Sequence, residues 1–321
     1  MNLQRLHIKN FKSIVDLEIV EPNPFTVFVG PNGSGKSNIF EALEFWNLSF
    51  TFVDIILGLF GSKESITFSQ DFFKEIKILV NTENTHLTTT CSIIDKVPKV
   101  NSAGSSRPGT NEYDGILNSF LRLFVGNKRI EKLNFSGDNK LSTSASNLEK
   151  VLKRILLDET KREEIKEWLD LFIPGFENIE IVSSDLSGTD TLVMYEKGMK
   201  KPFTKGLLSD GTYNILALLT AVYQSDEPQF LCIEEPENGL TPYVIEQFVE
   251  LFRNACQEKG HYIWLNTHSP TLVRHLRADE LIVVDKKQGA TQIKQFKGKD
   301  YFGLRMDEAW LTNALGGGLP W

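Results

Sequence analysis

Eight residues, Gly30-Pro31-Asn32-Gly33-Ser34-Gly35-Lys36-Ser37, fit the pattern G-x-x-x-x-G-K-[ST] (Walker A), and they leave the chain few folds to choose from. Such a loop works only between a strand and a helix. Its glycines let backbone N–H groups turn inward around a phosphate, and the helix N-terminus points at the anion. The flanks comply. Phe25–Val29 is an apolar run of β type, and from Asn38 onward Ile39, Leu43 and Trp46 fall on one helical face. The pattern gives Lys36 the role of a point charge near the β- and γ-phosphates and Ser37 that of a hydroxyl ligand for Mg²⁺.

Far downstream, the apolar run Phe230–Ile233 ends in Glu234-Glu235. This is the Walker B arrangement, in which a buried parallel strand delivers carboxylates to the sheet edge where substrates sit. Glu234 is the expected holder of Mg²⁺, directly or through water, and Glu235 the acceptor of a proton from the attacking water. The stretch between Lys36 and Glu234 exceeds the needs of a minimal core, so residues 66–206 read as an inserted lobe.

The rest of the chain yields coarser expectations. Residues 3–19 read as two short strands joined near Asn10–Ser13, and residues 66–97 as an antiparallel hairpin. Lys99–Asn111 reads as a loop, Leu117–Phe124 as a short helix and Asn147–Leu171 as one long helix stopped by Pro174-Gly175. Residues 178–206 return to strands, and from Thr212 helix and strand alternate. Cys91, Cys232 and Cys256 lack metal-like spacing and read as reduced thiols. No leader pattern or membrane span is visible: the apolar stretch Phe50–Phe60 contains Asp54 and is short, so a cytoplasmic location is expected. A net charge of −7 argues against an overall basic nucleic-acid binder while leaving room for a local basic groove. Arg122, Lys128, Arg129 and Lys132 form the one candidate cluster, whereas the mixed charges from Lys153 to Glu167 read as a solvated helix face.

Three further motifs follow in order. Leu208-Ser209-Asp210-Gly211-Thr212 resembles the ABC signature of non-transporter members, Glu234-Glu235-Pro236-Glu237-Asn238-Gly239-Leu240 extends Walker B, and Thr267-His268-Ser269-Pro270 resembles the switch-histidine strand. With the opening Ile8-Lys9-Asn10-Phe11-Lys12-Ser13, the chain resembles the RecF/SMC-like ABC ATPases, and more narrowly the ATPases of bacterial OLD-like and abortive-infection systems. The resemblance implies an α/β fold, an ABC-type P-loop head with a mixed N-terminal sheet, a parallel core sheet flanked by helices, and an inserted α+β lobe. Its boundaries would be 1–65 and 207–285 for the head, 66–206 for the lobe and 286–321 for a C-terminal docking tail.

By the same resemblance, Asn32, Gly33, Ser34, Gly35, Lys36, Ser37 and Asn38 hold ATP with Mg²⁺, and Lys12 and Ser13 lie beside them. His268 would contact the γ-phosphate in the same subunit as Lys36, while Ser209 and Gly211 would contact the γ-phosphate bound to the other subunit. A head-to-tail homodimer or higher oligomer with ATP at the interfaces follows. The chain departs from the pattern at Asp210, where transporters have Gly, at Glu234 instead of Asp, and at Thr241, where many relatives have His; Gln70 is the candidate Q-loop residue.

OLD-type relatives carry a TOPRIM nuclease domain after the switch histidine. The tail here is too short for one and lacks Asp-x-Asp; Asp279, Glu280, Asp285, Asp307 and Glu308 read as surface charges, and no intrinsic nuclease is expected. The apolar end from Ala309 to Trp321 reads as a docking segment, on its own body or on a partner. Two functions remain in view: an ATPase that controls a separately encoded effector, such as a TOPRIM-type nuclease in phage defence, or a RecF-like DNA-binding ATPase of repair. A transporter subunit is disfavoured by the long insertion.

Overall fold

The computed structural model of the protein describes residues 2–94, 97–106, 112–125, 131–133, 137–183, 188–298 and 303–315. Its strands are β1 (Leu3–Phe11), β2 (Ile14–Val20), β3 (Phe25–Val29), β4 (Ile76–Thr82), β5 (Thr85–Ile94), β6 (Val97–Ser106), β7 (Phe120–Leu123), β8 (Phe176–Ser183), β9 (Asp190–Glu196), β10 (Phe203–Thr204), β11 (Phe230–Glu234), β12 (Tyr262–Thr267), β13 (Leu281–Lys287) and β14 (Ala290–Gln295). They form three sheets, with orders β2-β1-β4-β5-β6, β10-β9-β8 and β14-β13-β3-β12-β11-β7.

Two compact units emerge. The first joins Met1–Arg122, Glu227–Glu235 and Val249–Trp321; the second joins Leu123–Asp226 and Pro236–Phe248. In the first unit, β3, β11 and β12 are buried at every position, as expected of parallel strands covered on both faces. β12 pairs in parallel with both β3 and β11, so it separates the strand that feeds Walker A from the strand that ends in Walker B. The antiparallel sheet behaves differently: β4 alternates buried and half-buried residues, so a single face meets the core. The Walker A helix, Lys36–Ser49, buries Ile39, Phe40, Leu43, Phe45 and Trp46, with Phe28–Phe40 and Phe11–Phe45 ring contacts at 5.5 and 5.8 Å.

The second unit holds β8–β10, the helices Leu148–Ile155 and Glu159–Phe172, and the helix Asp210–Tyr223. Helix Leu148–Ile155 packs on β8, β9 and Asp210–Tyr223.

Several expectations need correction. The single helix over Asn147–Leu171 is two helices, because Asp158 takes an extended conformation and its side chain caps the second by accepting from the Lys161 N–H. Lys99–Asn111 is not a loop throughout: Val97–Ser106 pairs with β5 over ten positions, and 107–111 lie outside the described residues. Leu117–Phe124 is the end of a helix, Glu112–Ser119, followed by strand β7. β4 pairs with β1 and belongs to the first unit. The tail docks on its own unit as far as it is described, with Trp310 and Leu315 buried; residues 316–321 lie outside. Glu280 is not a surface charge but a buried partner of Arg253, at 2.7 Å.

Candidate functional site

The phosphate loop runs from β3 into the Walker A helix as the motif requires. Gly35 caps that helix at φ 102°, a left-handed conformation suited to glycine. Space decides the choice too: a Cβ at Gly35 would stand 2.0 Å from Thr291 Oγ1 and 2.7 Å from Ser13 Oγ. Asn32 and Gly33 are exposed at the loop tip, and Ser34 is buried beneath it. The Lys36 ammonium curls back to donate to the Gly30 and Pro31 carbonyls at 2.7 and 3.1 Å.

Ser13 sits beside the loop. Its hydroxyl accepts from Asn38 Nδ2 at 2.6 Å and meets Thr291 Oγ1 at 2.6 Å, while Thr291 also donates to the Ser34 carbonyl at 2.9 Å. Lys12 forms an ion pair with Glu41 of the Walker A helix at 2.6 Å. The β13–β14 hairpin therefore braces the loop from the side, through a threonine that carried no sequence signal.

The acidic site faces Ser37. Its hydroxyl donates to Glu234 Oε2 at 2.7 Å, and Asn266 of β12 donates to the same oxygen at 2.5 Å. The intervening strand places Asn266 between the two motifs. The other carboxylate oxygen, Oε1, accepts from Arg122 Nε at 2.8 Å and from Arg122 Nη2, and Arg122 Nη1 donates to Glu44 Oε2 at 2.8 Å. Burial works against the Arg122 charge, and the two carboxylates, Glu234 foremost, outweigh it, so the guanidinium pKa is raised. Arg122 thus leaves the basic cluster proposed from sequence: it is 5% exposed and ion-paired, and Lys128 and Arg129 lie outside the described residues. Its signal was there to read, since a lone charge in Phe120-Leu121-Arg122-Leu123 is costly to bury without a partner.

Glu235 takes a left-handed backbone, φ 47°, fixed by its N–H donating to the Asn266 carbonyl at 3.0 Å. Its carboxylate is half-buried and stands 3.5 Å from His268 Nδ1. A carboxylate and an imidazole therefore share the edge where β11 and β12 end, beside Ser37. The hydroxyl and carboxylate oxygens gathered there suit a hard cation. Among the described residues no group of three or more His, Cys, Asp or Glu forms a metal cage, so Mg²⁺ at this place would complete its shell with phosphate oxygens and water.

Ser209 and Gly211 belong to the second unit. Ser209 caps the helix Asp210–Tyr223, accepting from the Thr212 N–H at 3.1 Å. Gly211 has a packing reason of its own: a Cβ there would lie 2.3 Å from the Gly239 carbonyl oxygen. Asn214 ties the same helix to the segment after Walker B, donating to the Pro236 and Asn238 carbonyls at 2.9 Å each. Gln70 lies exposed, with φ 55°.

A family described as "AAA domain, putative AbiEii toxin, Type IV TA system" matches residues 25–274. The chain belongs to that family. Its curated relatives include the chromosome partition protein Smc of Methanocaldococcus jannaschii, 51% identical over 45 residues, covering 14% of this chain and 4% of Smc. The OLD nuclease of Thermus scotoductus is 37% identical over 71 residues, covering 22% of this chain and 11% of the nuclease. The replication and repair protein RecF of Shewanella sediminis is 28% identical over 189 residues, covering 52% of this chain and 49% of RecF. The chain thus spans half or less of these relatives. Among solved structures, an Smc head bound to the C-winged helix domain of ScpA has a TM-score of 0.66 at 15% identity, covering 96% of this chain and 100% of the head. The Pyrococcus furiosus Smc head gives 0.61 at 14% identity, covering 98% of each chain. Family and fold together place the chain in the RecF/SMC-like ABC ATPase class, with an ABC-type head.

Proposed function

We propose that the chain binds and hydrolyses Mg-ATP, closes into a homodimer or larger ring around the nucleotide, and through that cycle regulates a separately encoded effector, a nuclease of TOPRIM type in anti-phage defence. One observation carries the catalytic part: Ser37, at the head of the Walker A helix, is hydrogen-bonded to Glu234 while Glu235 and His268 flank the same edge. Lys36 and the loop amides of Asn32–Ser37 would bind the phosphates, Lys12, Ser13 and Asn38 would shape the loop, and Ser37 with Glu234 would hold Mg²⁺. The ion would neutralise charge developing on the phosphates. Glu235 would take the proton of the attacking water, and His268 would orient the γ-phosphate.

Ser209 and Gly211 reach phosphate in this scheme only from a second subunit, at the capped N-terminus of their helix. The effector reading draws on the family's description and on the OLD nuclease relative. The test is mass in solution with Mg-ATP, for the wild type and for Glu235→Gln, alone and with a neighbouring gene product. An ATP-dependent dimer or ring trapped by Glu235→Gln, holding the neighbour, supports the proposal; a monomer that hydrolyses ATP at any protein concentration removes the dimer from it.

A second reading is a RecF-like DNA-binding ATPase. The breadth of the RecF alignment, 52% of this chain, favours it.

A further inference from the structure

The Walker B carboxylate has its two oxygens divided between different masters. Oε2 accepts from Ser37 and Asn266, whereas Oε1 is held by Arg122 alone among the described side chains. Arg122 comes from β7, the strand beside β11, and is the last residue of the first unit before Leu123 opens the second. Its guanidinium also grips Glu44 of the Walker A helix, so one side chain spans both motifs. Two carboxylates around one guanidinium leave this buried cluster with a net charge of about −1, poised for a cation.

We propose that Arg122 is a positioning residue for the nucleotide site. By occupying Oε1 it turns Oε2 to the Ser37 hydroxyl and keeps Glu234 acting on Mg²⁺ through that hydroxyl and water, not by direct ligation. A glutamate in place of the usual aspartate is one methylene longer, and the guanidinium fork takes up that reach on the side away from the loop. A lysine offers a point charge and no fork, so it cannot bridge Glu234 and Glu44 with the same geometry.

The inference rests on the Mg-ATP reading above, and the experiment separates the two. Binding of mant-ATP is titrated with Mg²⁺, and without metal in EDTA, for the wild type, Arg122→Gln, Arg122→Lys and Glu44→Gln, beside turnover and thermal melts. Failure of the wild type to bind mant-ATP with Mg²⁺ removes the functional reading itself. Given wild-type binding, Arg122→Gln should lower the half-saturating Mg²⁺ concentration about ten-fold, because a positive charge is removed and Glu234 is released toward the metal, and should cut turnover about ten-fold or more. Arg122→Lys should fall between. Glu44→Gln leaves Arg122 pulling on Glu234 alone and should raise the Mg²⁺ requirement, the opposite sign. Metal-free affinity should stay within about two-fold in all variants on this scale. Opposite shifts in Mg²⁺ requirement support the positioning role. An unchanged Mg²⁺ requirement in folded Arg122→Gln, with only a lower melting temperature, overturns it. Should Arg122→Gln fail to fold, an unchanged Mg²⁺ requirement in Glu44→Gln overturns it equally.

Discussion

A glutamine at position 235 keeps the length and backbone of the glutamate and removes only its capacity to take a proton. The left-handed backbone there is held by the Asn266 carbonyl, which glutamine leaves intact. Glu235→Gln is therefore expected to lower ATP turnover by about 10²–10⁴-fold with ATP affinity retained, as measured by phosphate release and mant-ATP titration. Retained turnover would move the base elsewhere, with His268, 3.5 Å away, first in line. The cysteines make a different statement. Cys91 and Cys232 are fully buried and Cys256 nearly so; burial pushes the Cys91 thiol up to about 11 and the other two upward as well. A raised thiol pKa leaves the neutral, unreactive form dominant well above neutrality. At pH 8 the native protein should react negligibly with a thiol reagent, and the denatured chain should release three equivalents, one for each cysteine. Rapid native labelling would place at least one thiol at the surface.

At the scale of elements, the helix Asp210–Tyr223 and the segment after Walker B are built as one piece. Gly211 and Gly239 touch backbone to backbone, and Asn214 satisfies two carbonyls of that segment. Asn214→Ala strips the donor and leaves the Pro236 and Asn238 carbonyls without it, at a cost of about 1–3 kcal/mol. Urea denaturation should read that loss, and turnover should fall with it because Pro236 follows Glu235 directly. Gly211→Ala should destabilise by about 1–3 kcal/mol through overpacking against the Gly239 carbonyl. Wild-type stability in either variant would contradict the contact. These elements also mark how far the sequence could be read. The phosphate loop, the buried runs Phe25–Val29 and Phe230–Glu234 and the capped signature helix were visible, because each has a periodicity or a fixed motif. Asp158 was not, since its cap interrupts an apolar repeat that continues in phase on both sides. The strand Val97–Ser106 hid behind loop-like residues because it is mostly exposed, so backbone pairing with β5 outweighs propensity. In the site, Asn266, Glu44 and Thr291 depended on which strands and helices became neighbours, which no local spacing encodes. Arg122 was seen but assigned to the surface, where its isolation among apolar residues should have pointed inward.

At the scale of the whole molecule, charge separates the two functional readings. The chain carries −7 overall, and Arg122, one of four residues that suggested a basic track, is consumed by Glu234 and Glu44. Duplex binding requires several lysines or arginines that displace counterions, and such binding weakens steeply as salt rises. The effector-regulating reading therefore predicts that Glu235→Gln, saturated with Mg-ATP, leaves a fluorescent DNA duplex unbound at low micromolar protein even at about 50 mM salt, conditions that favour electrostatic association. The RecF-like reading predicts the reverse. Anisotropy should then rise only with ATP present, and the apparent affinity should fall by about 10³–10⁵ between 50 and 200 mM salt if six to ten phosphates are neutralised. A shallow slope would mean a contact of one or two charges, too few to make DNA the substrate of the ATP cycle. A steep, ATP-dependent slope would instead assign that cycle to DNA and remove the separate effector from the proposal.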